Sequence, residues 1–200
     1  MRSFDPLVLG RRECAAWVAY YRRQWPRVLV SAIGMVRAGF RMPWPRTLLG
    51  ALYVLRANQV WAPYPRNDPA RAQRLMCRFY ALVARTHGGD YDPAEAARLD
   101  VAWWRVHREL QRERPSDEDT PLVEALAALY GYVYGLAADD VRAAARGRVE
   151  AMRISDRWVA AGRDPASPLI AAERAALVRG YAALLAVVHG GPVPEPERGG

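Results

Sequence analysis

The chain has 200 residues, 52% of them hydrophobic and 25% charged, and all 29 basic residues are arginine. That length buries one sizeable core, and the composition is that of a globular chain. The lack of lysine excludes Schiff-base chemistry on a lysine amine, the standard P-loop NTPase and the kinase-type β3 lysine. The net charge of +8 is uneven: residues 1–85 hold 15 arginines and three acids (Asp5, Glu13 and Asp68), a balance of +12, and the remainder carries −4. Such a split points either to an anionic partner for the basic half or to attraction between the halves.

The start, Met1-Arg2-Ser3-Phe4-Asp5-Pro6, lacks the apolar core of a signal peptide. No uncharged apolar run approaches the roughly 18 residues of a membrane span. The expected location is the cytoplasm. Cys14 and Cys77 fall among apolar neighbours and read as buried free thiols of a reducing compartment.

Proline then punctuates the chain. Pro26, Pro45, Pro69, Pro93, Pro121 and Pro168 each open an apolar-periodic stretch, where the ring's fixed φ suits a first helical turn. Asp68, Asp92, Thr120 and Ser167 precede four of them as capping residues. The pattern predicts eight helices, over 9–24, 26–40, 45–61, 69–87, 93–113, 121–135, 138–162 and 168–188. An all-α, single-domain bundle over residues 1–189 follows, with short antiparallel connections and a Pro/Gly-rich tail at 190–200 expected to be disordered. Gly34, Gly50 and Gly131 inside helices are expected to admit close neighbours.

Polar residues inside apolar stretches mark candidate chemistry. Arg56, Asn58 and Gln59 end the densely apolar third helix, and Arg78 sits between Leu75, Phe79 and Leu82 on the fourth. The fifth helix carries an apolar stripe of Ala96, Leu99, Trp103, Val106 and Leu110, with Asp100 and His107 at its edge, two turns apart. His107 and Asp100 are the candidate catalytic pair, with His107 as general base, metal or haem ligand, or hydrogen-bonded core residue. Asp100 is expected to meet an arginine of the basic half, since carboxylates seldom enter a core unpaired. Asp156 shares a face with Val149, Met152 and Val159, so an Arg–Asp network across helices would use Arg56, Arg78, Asp100 and Asp156. Tyr130, Tyr132 and Tyr134 close the sixth helix; aromatics with a polar tip suit core, cavities and interfaces. Arg56, Asn58, Gln59, Arg78, Trp103 and Tyr132 are the candidate ligand-binding residues.

No Glu-x-x-His, Cys-x-x-Cys, Gly-x-Gly-x-x-Gly or Gly-x-Ser-x-Gly occurs, so metal motifs and common nucleophile motifs are lacking. Leu55-Arg56-Ala57-Asn58-Gln59-Val60-Trp61-Ala62-Pro63, Asn67-Asp68-Pro69 and Trp103-Trp104-Arg105-Val106-His107-Arg108 resemble uncharacterised helical proteins of high-GC bacteria. That resemblance implies a protein family and adds no mechanism. Trp104-x-Val106-His107-x-x-Leu110 is similar to one helix of the rubber-oxygenase-like haem proteins, in which a helical His binds haem; the family's other motifs do not occur.

Three functions compete. One is a pocket between helices that holds or transforms an anionic or amphipathic small molecule, the cofactor being unknown. A second is a peripheral membrane or protein-partner module built on the Arg- and Trp-rich N-terminal half. The third is nucleic-acid binding through Arg11, Arg12, Arg22, Arg23 and their neighbours, which no helix-turn-helix signature supports.

Overall fold

The structure is a computed structural model that describes residues 3–112 and 119–190. It is all-helical: α1 (Pro6–Tyr21), α2 (Trp25–Phe40), α3 (Trp44–Trp61), α4 (Pro69–His87), α5 (Pro93–Arg112), α6 (Thr120–Tyr134), α7 (Ala138–Ala160) and α8 (Pro168–Val188). The expected disorder of the tail and most of the link before α6 lie outside the described residues.

The caps explain the boundaries. The Asp68 carboxylate accepts from Arg71 N at 2.8 Å, Asp92 from Ala94 N at 2.9 Å and Ser167 Oγ from Leu169 N at 3.3 Å. Two expectations are corrected. The first helix begins at Pro6 rather than at residue 9, because Asp5 caps it by accepting from Leu7 N and Val8 N. Thr120 is the first residue of α6 rather than its cap; Asp119 holds the cap position and gives its carboxylate to Arg153 instead.

Each helix packs chiefly against its sequence neighbours, and α8 also packs against α1, so the bundle closes into a ring. Short connections make the neighbours antiparallel. One end of the ring therefore gathers the C-termini of the odd helices and the N-termini of the even ones. The amphipathic pattern sets the inward faces. In α4, Ala72, Met76, Phe79, Tyr80 and Val83 are buried, while Arg71, Arg74, Arg78 and Arg85 point outward.

Among the described glycines, the tightest approach of one helix backbone to another is at α7–α8. A Cβ on Gly147 would sit 2.7 Å from Gly180 Cα, and one on Gly180 would sit 3.1 Å from Ala144 O. Sequence reading singled out other glycines. Of these, Gly50 does face a neighbour, with Phe79 ring atoms 3.4 Å from its Cβ position. Gly34 does too, with the Arg12 side chain of α1 2.7 Å from its Cβ position, whereas Gly131 faces the Leu136 carbonyl of the turn that ends its own helix. Of the two thiols, Cys14 is buried and Cys77 only half-buried.

Candidate functional site

The ring encloses a cavity of about 2100 Å³ that opens to the outside. Its polar centre is built from six helices. Glu13 of α1 is fully buried and pairs with Arg148 of α7; Tyr181 of α8 donates to the other Glu13 oxygen. Arg148 also donates to Tyr130 Oη of α6 at 3.3 Å and lies 4.9 Å from the centroid of the Trp103 ring of α5. Asp100 accepts from Trp103 Nε1 at 2.7 Å and from Tyr80 Oη of α4 at 3.0 Å.

The electrostatics follow from that packing. Burial opposes the charge of Arg148, but Glu13 and the tyrosine oxygens hold its pKa above the ordinary value. Burial pushes the Asp100 carboxyl up, against the opposing effects of Arg148, Trp103 and Tyr80. Burial and the adjacent carboxylates push the Tyr80 and Tyr181 phenols up. The one guanidinium here is paired with Glu13 and lies near enough to Asp100 to favour its charged form, so the centre has no spare positive charge.

Toward the end where α1, α3, α5 and α7 finish, the lining changes. His107 Nε2 lies 3.1 Å from Asp156 Oδ2, and Gln111 donates to Asp156 Oδ1 while reaching Tyr21 Oη at 3.1 Å. Beside them, Arg108 donates to the Trp61 carbonyl at 3.0 Å, with its guanidinium 4.2 Å from the Trp61 ring centroid and 5.6 Å from that of Tyr64. Burial holds the Arg108 pKa below its ordinary value, with Tyr20 and Tyr21 opposing. No ion pair of Arg108 with an acid occurs among the described residues. A half-buried guanidinium without a carboxylate calls for an anion, and Arg23 and Arg112, which line the same end, have no acid partner among the described residues either.

The expected site residues divide accordingly. His107, Asp100, Asn58 and Trp103 line the cavity. Asn58 spends its amide on the Val54 carbonyl, at 2.9 Å. Arg56 and Arg78 are exposed and outside the lining, and Arg56 pairs with Gln59 on the surface at 3.0 Å. Tyr132 faces a separate, smaller hollow beside Gly88–Tyr91, where its hydroxyl accepts from Asp92 N. Two ion-pair expectations are corrected. Asp100 satisfies itself with the neutral donors Tyr80 and Trp103 instead of an arginine of the basic half. The network through Arg56, Arg78 and Asp156 does not form, because the first two turn outward and Asp156 meets His107. Among the described residues no ion pair uses an arginine of residues 1–85, and the one pair joining the halves, Glu13–Arg148, has the signs reversed.

Sequence reading missed Glu13, Arg148, Arg108, Gln111 and Glu173. For three of them the signal was present: a charge at the centre of an apolar stripe. Glu13 lies between Leu9 and Trp17, Arg148 between Ala144 and Met152, and Glu173 between Leu169 and Leu177, each at i±4. Glu173 is wholly buried next to Cys14 and Ser155, and neither of its carboxylate oxygens has a hydrogen bond of normal geometry. Burial pushes its pKa to about 7. Burial and Glu173 push the Cys14 thiol up to about 12, so it is an inert thiol.

The residues present do not fit a haem. The His107 Nε2 that would bind iron faces the Asp156 carboxylate. Among the described residues there is no group of three His, Cys, Asp or Glu side chains able to hold a metal ion. Comparisons with protein-family models, curated proteins and solved structures found no match.

Proposed function

We propose that the chain binds, and at His107 acts on, an amphipathic anion whose apolar body enters the ring and whose charged head stays at the mouth, in the cytoplasm. The observation that carries this reading is Arg108, stacked on Trp61 at the rim of a cavity and without an acid partner. The cavity exceeds the roughly 300–1,000 Å³ of typical small-molecule pockets, which favours a long ligand. Val36, Met76, Phe79, Met152 and Leu184 supply an apolar interior. The His107–Asp156 contact orients an imidazole beside the head-group position, where it can take or give a proton.

Titration calorimetry with palmitate as probe tests this. Binding is expected, and Arg108→Gln should weaken it about tenfold to a hundredfold, the worth of a hydrogen bond to a charged group. Native mass spectrometry of protein purified without added ligand should show a mass excess that vanishes on denaturation. Absence of palmitate binding, or binding indifferent to Arg108→Gln, refutes the reading.

A further inference from the structure

The outer surface of α2, α3 and α4 has an arrangement unrelated to the cavity. The outward face of α3 is apolar for two turns: Trp44, Leu48, Leu49 and Leu52, spaced i, i+4, i+5 and i+8, are 58%, 49%, 41% and 45% exposed. The exposed large apolar residues among those described all fall between Leu7 and Tyr64, and this stripe is their densest group. Exposed arginines flank it on both sides. α2 presents Arg27 and Arg37, with Arg41 at its C-cap, and α4 presents Arg71, Arg74, Arg78 and Arg85. α3 packs between those two helices, so the stripe runs between two basic rows.

None of these seven guanidiniums has an acid partner among the described residues. The polar partners present are neutral: Arg27 reaches Gln24 Oε1, Arg37 the Met42 carbonyl and Arg41 the Ser3 hydroxyl. Nor is a free carboxylate at hand in residues 1–85. Asp5 and Asp68 cap helices, and Glu13 is buried with Arg148.

We propose that this face docks on an anionic phospholipid bilayer. The guanidinium rows meet headgroup phosphates, and the leucines and Trp44 enter the boundary between headgroups and acyl chains. The chemistry selects this partner. A nucleic acid offers phosphates but nothing for the leucine stripe, and a second copy would bring the same positive rows together. Among the described residues no helix is long and apolar enough to cross a membrane, so the contact is interfacial.

Co-sedimentation with phosphatidylcholine vesicles, with and without phosphatidylglycerol, tests the proposal at low and moderate salt. Binding is expected only with phosphatidylglycerol and should weaken with salt. The Leu48→Gln/Leu52→Gln variant should lose most of it. Arg71→Gln/Arg74→Gln/Arg78→Gln should lose about fivefold per arginine, about a hundredfold in all. All five positions are exposed, and circular dichroism checks that the variants fold. Failure of the wild-type chain to bind phosphatidylglycerol vesicles overturns the proposal, as does undiminished binding by both variants. Retention on duplex DNA without vesicle binding assigns the arginines to nucleic acid. Concentration-dependent dimers abolished by the leucine variant, again without vesicle binding, assign the stripe to self-association. Either result overturns the proposal.

Discussion

Glu173 makes the stability of this ring depend on pH in a direction opposite to that of most carboxylates. The side chain is 0% exposed, its carboxylate oxygens have no hydrogen bond of normal geometry, and burial raises its pKa from 4.5 to about 7 against the opposing effects of Cys14 and Ser155. A carboxyl with a folded value above its unfolded value favours the folded state fully only below the unfolded value. That contribution is lost as pH rises through the folded value. Between about pH 5 and about pH 8 the linkage relation gives a loss of roughly 2.5 kcal/mol from this one group. Glu173→Gln mimics the protonated carboxyl at all pH values. It should be nearly neutral in stability at about pH 5 and stabilising by roughly 2–3 kcal/mol at about pH 8. Urea denaturation followed by circular dichroism at the two pH values measures the difference. A variant no more stable than the wild type at the higher pH, or one destabilised equally at both, would show that the buried carboxyl is not carrying that penalty.

Other perturbations probe the rest of the ring. Arg148→Met takes the guanidinium partner from the buried Glu13, leaving it the Tyr181 hydroxyl, and should destabilise by about 3–5 kcal/mol in urea denaturation. Glu13→Gln with Arg148→Met should recover part of that loss; an additive double variant would mean the two residues do not act as a pair. Gly180→Ala drives a methyl into the α7 backbone at Ala144–Arg148, at a predicted cost of about 1–3 kcal/mol by thermal or chemical unfolding. An unchanged midpoint would show that the crossing has slack. His107→Ala should weaken palmitate binding several-fold while changing the unfolding free energy by less than about 1 kcal/mol, since Gln111 still holds Asp156. Parallel loss of affinity and stability would make His107 a core residue only.

Local chemistry had already written the eight helices into the chain. Asp, Ser and Pro at helix starts and apolar spacing along each stretch act within a few residues, so their effects are readable in order along the sequence. Even the missed start of α1 obeys the same Asp-Pro rule as α4. A charge that interrupts an apolar stripe marked Asp100 in α5, and the same signal, present at Glu13, Arg148 and Glu173, went unread. The partners of these residues were not legible. Whether Asp100 meets an arginine or a tyrosine depends on which helices the ring brings to its axis. That choice is made by contacts between residues far apart in sequence, such as Glu13 with Arg148 and Gly147 with Gly180. The same holds for exposure. Arg78 and Leu52 both lie in apolar surroundings along the chain, yet both face outward, because closing the ring fixes which side of each helix is covered. Periodicity defines a helix's faces; only the packed neighbours decide which face meets the cavity, the next helix or the outside.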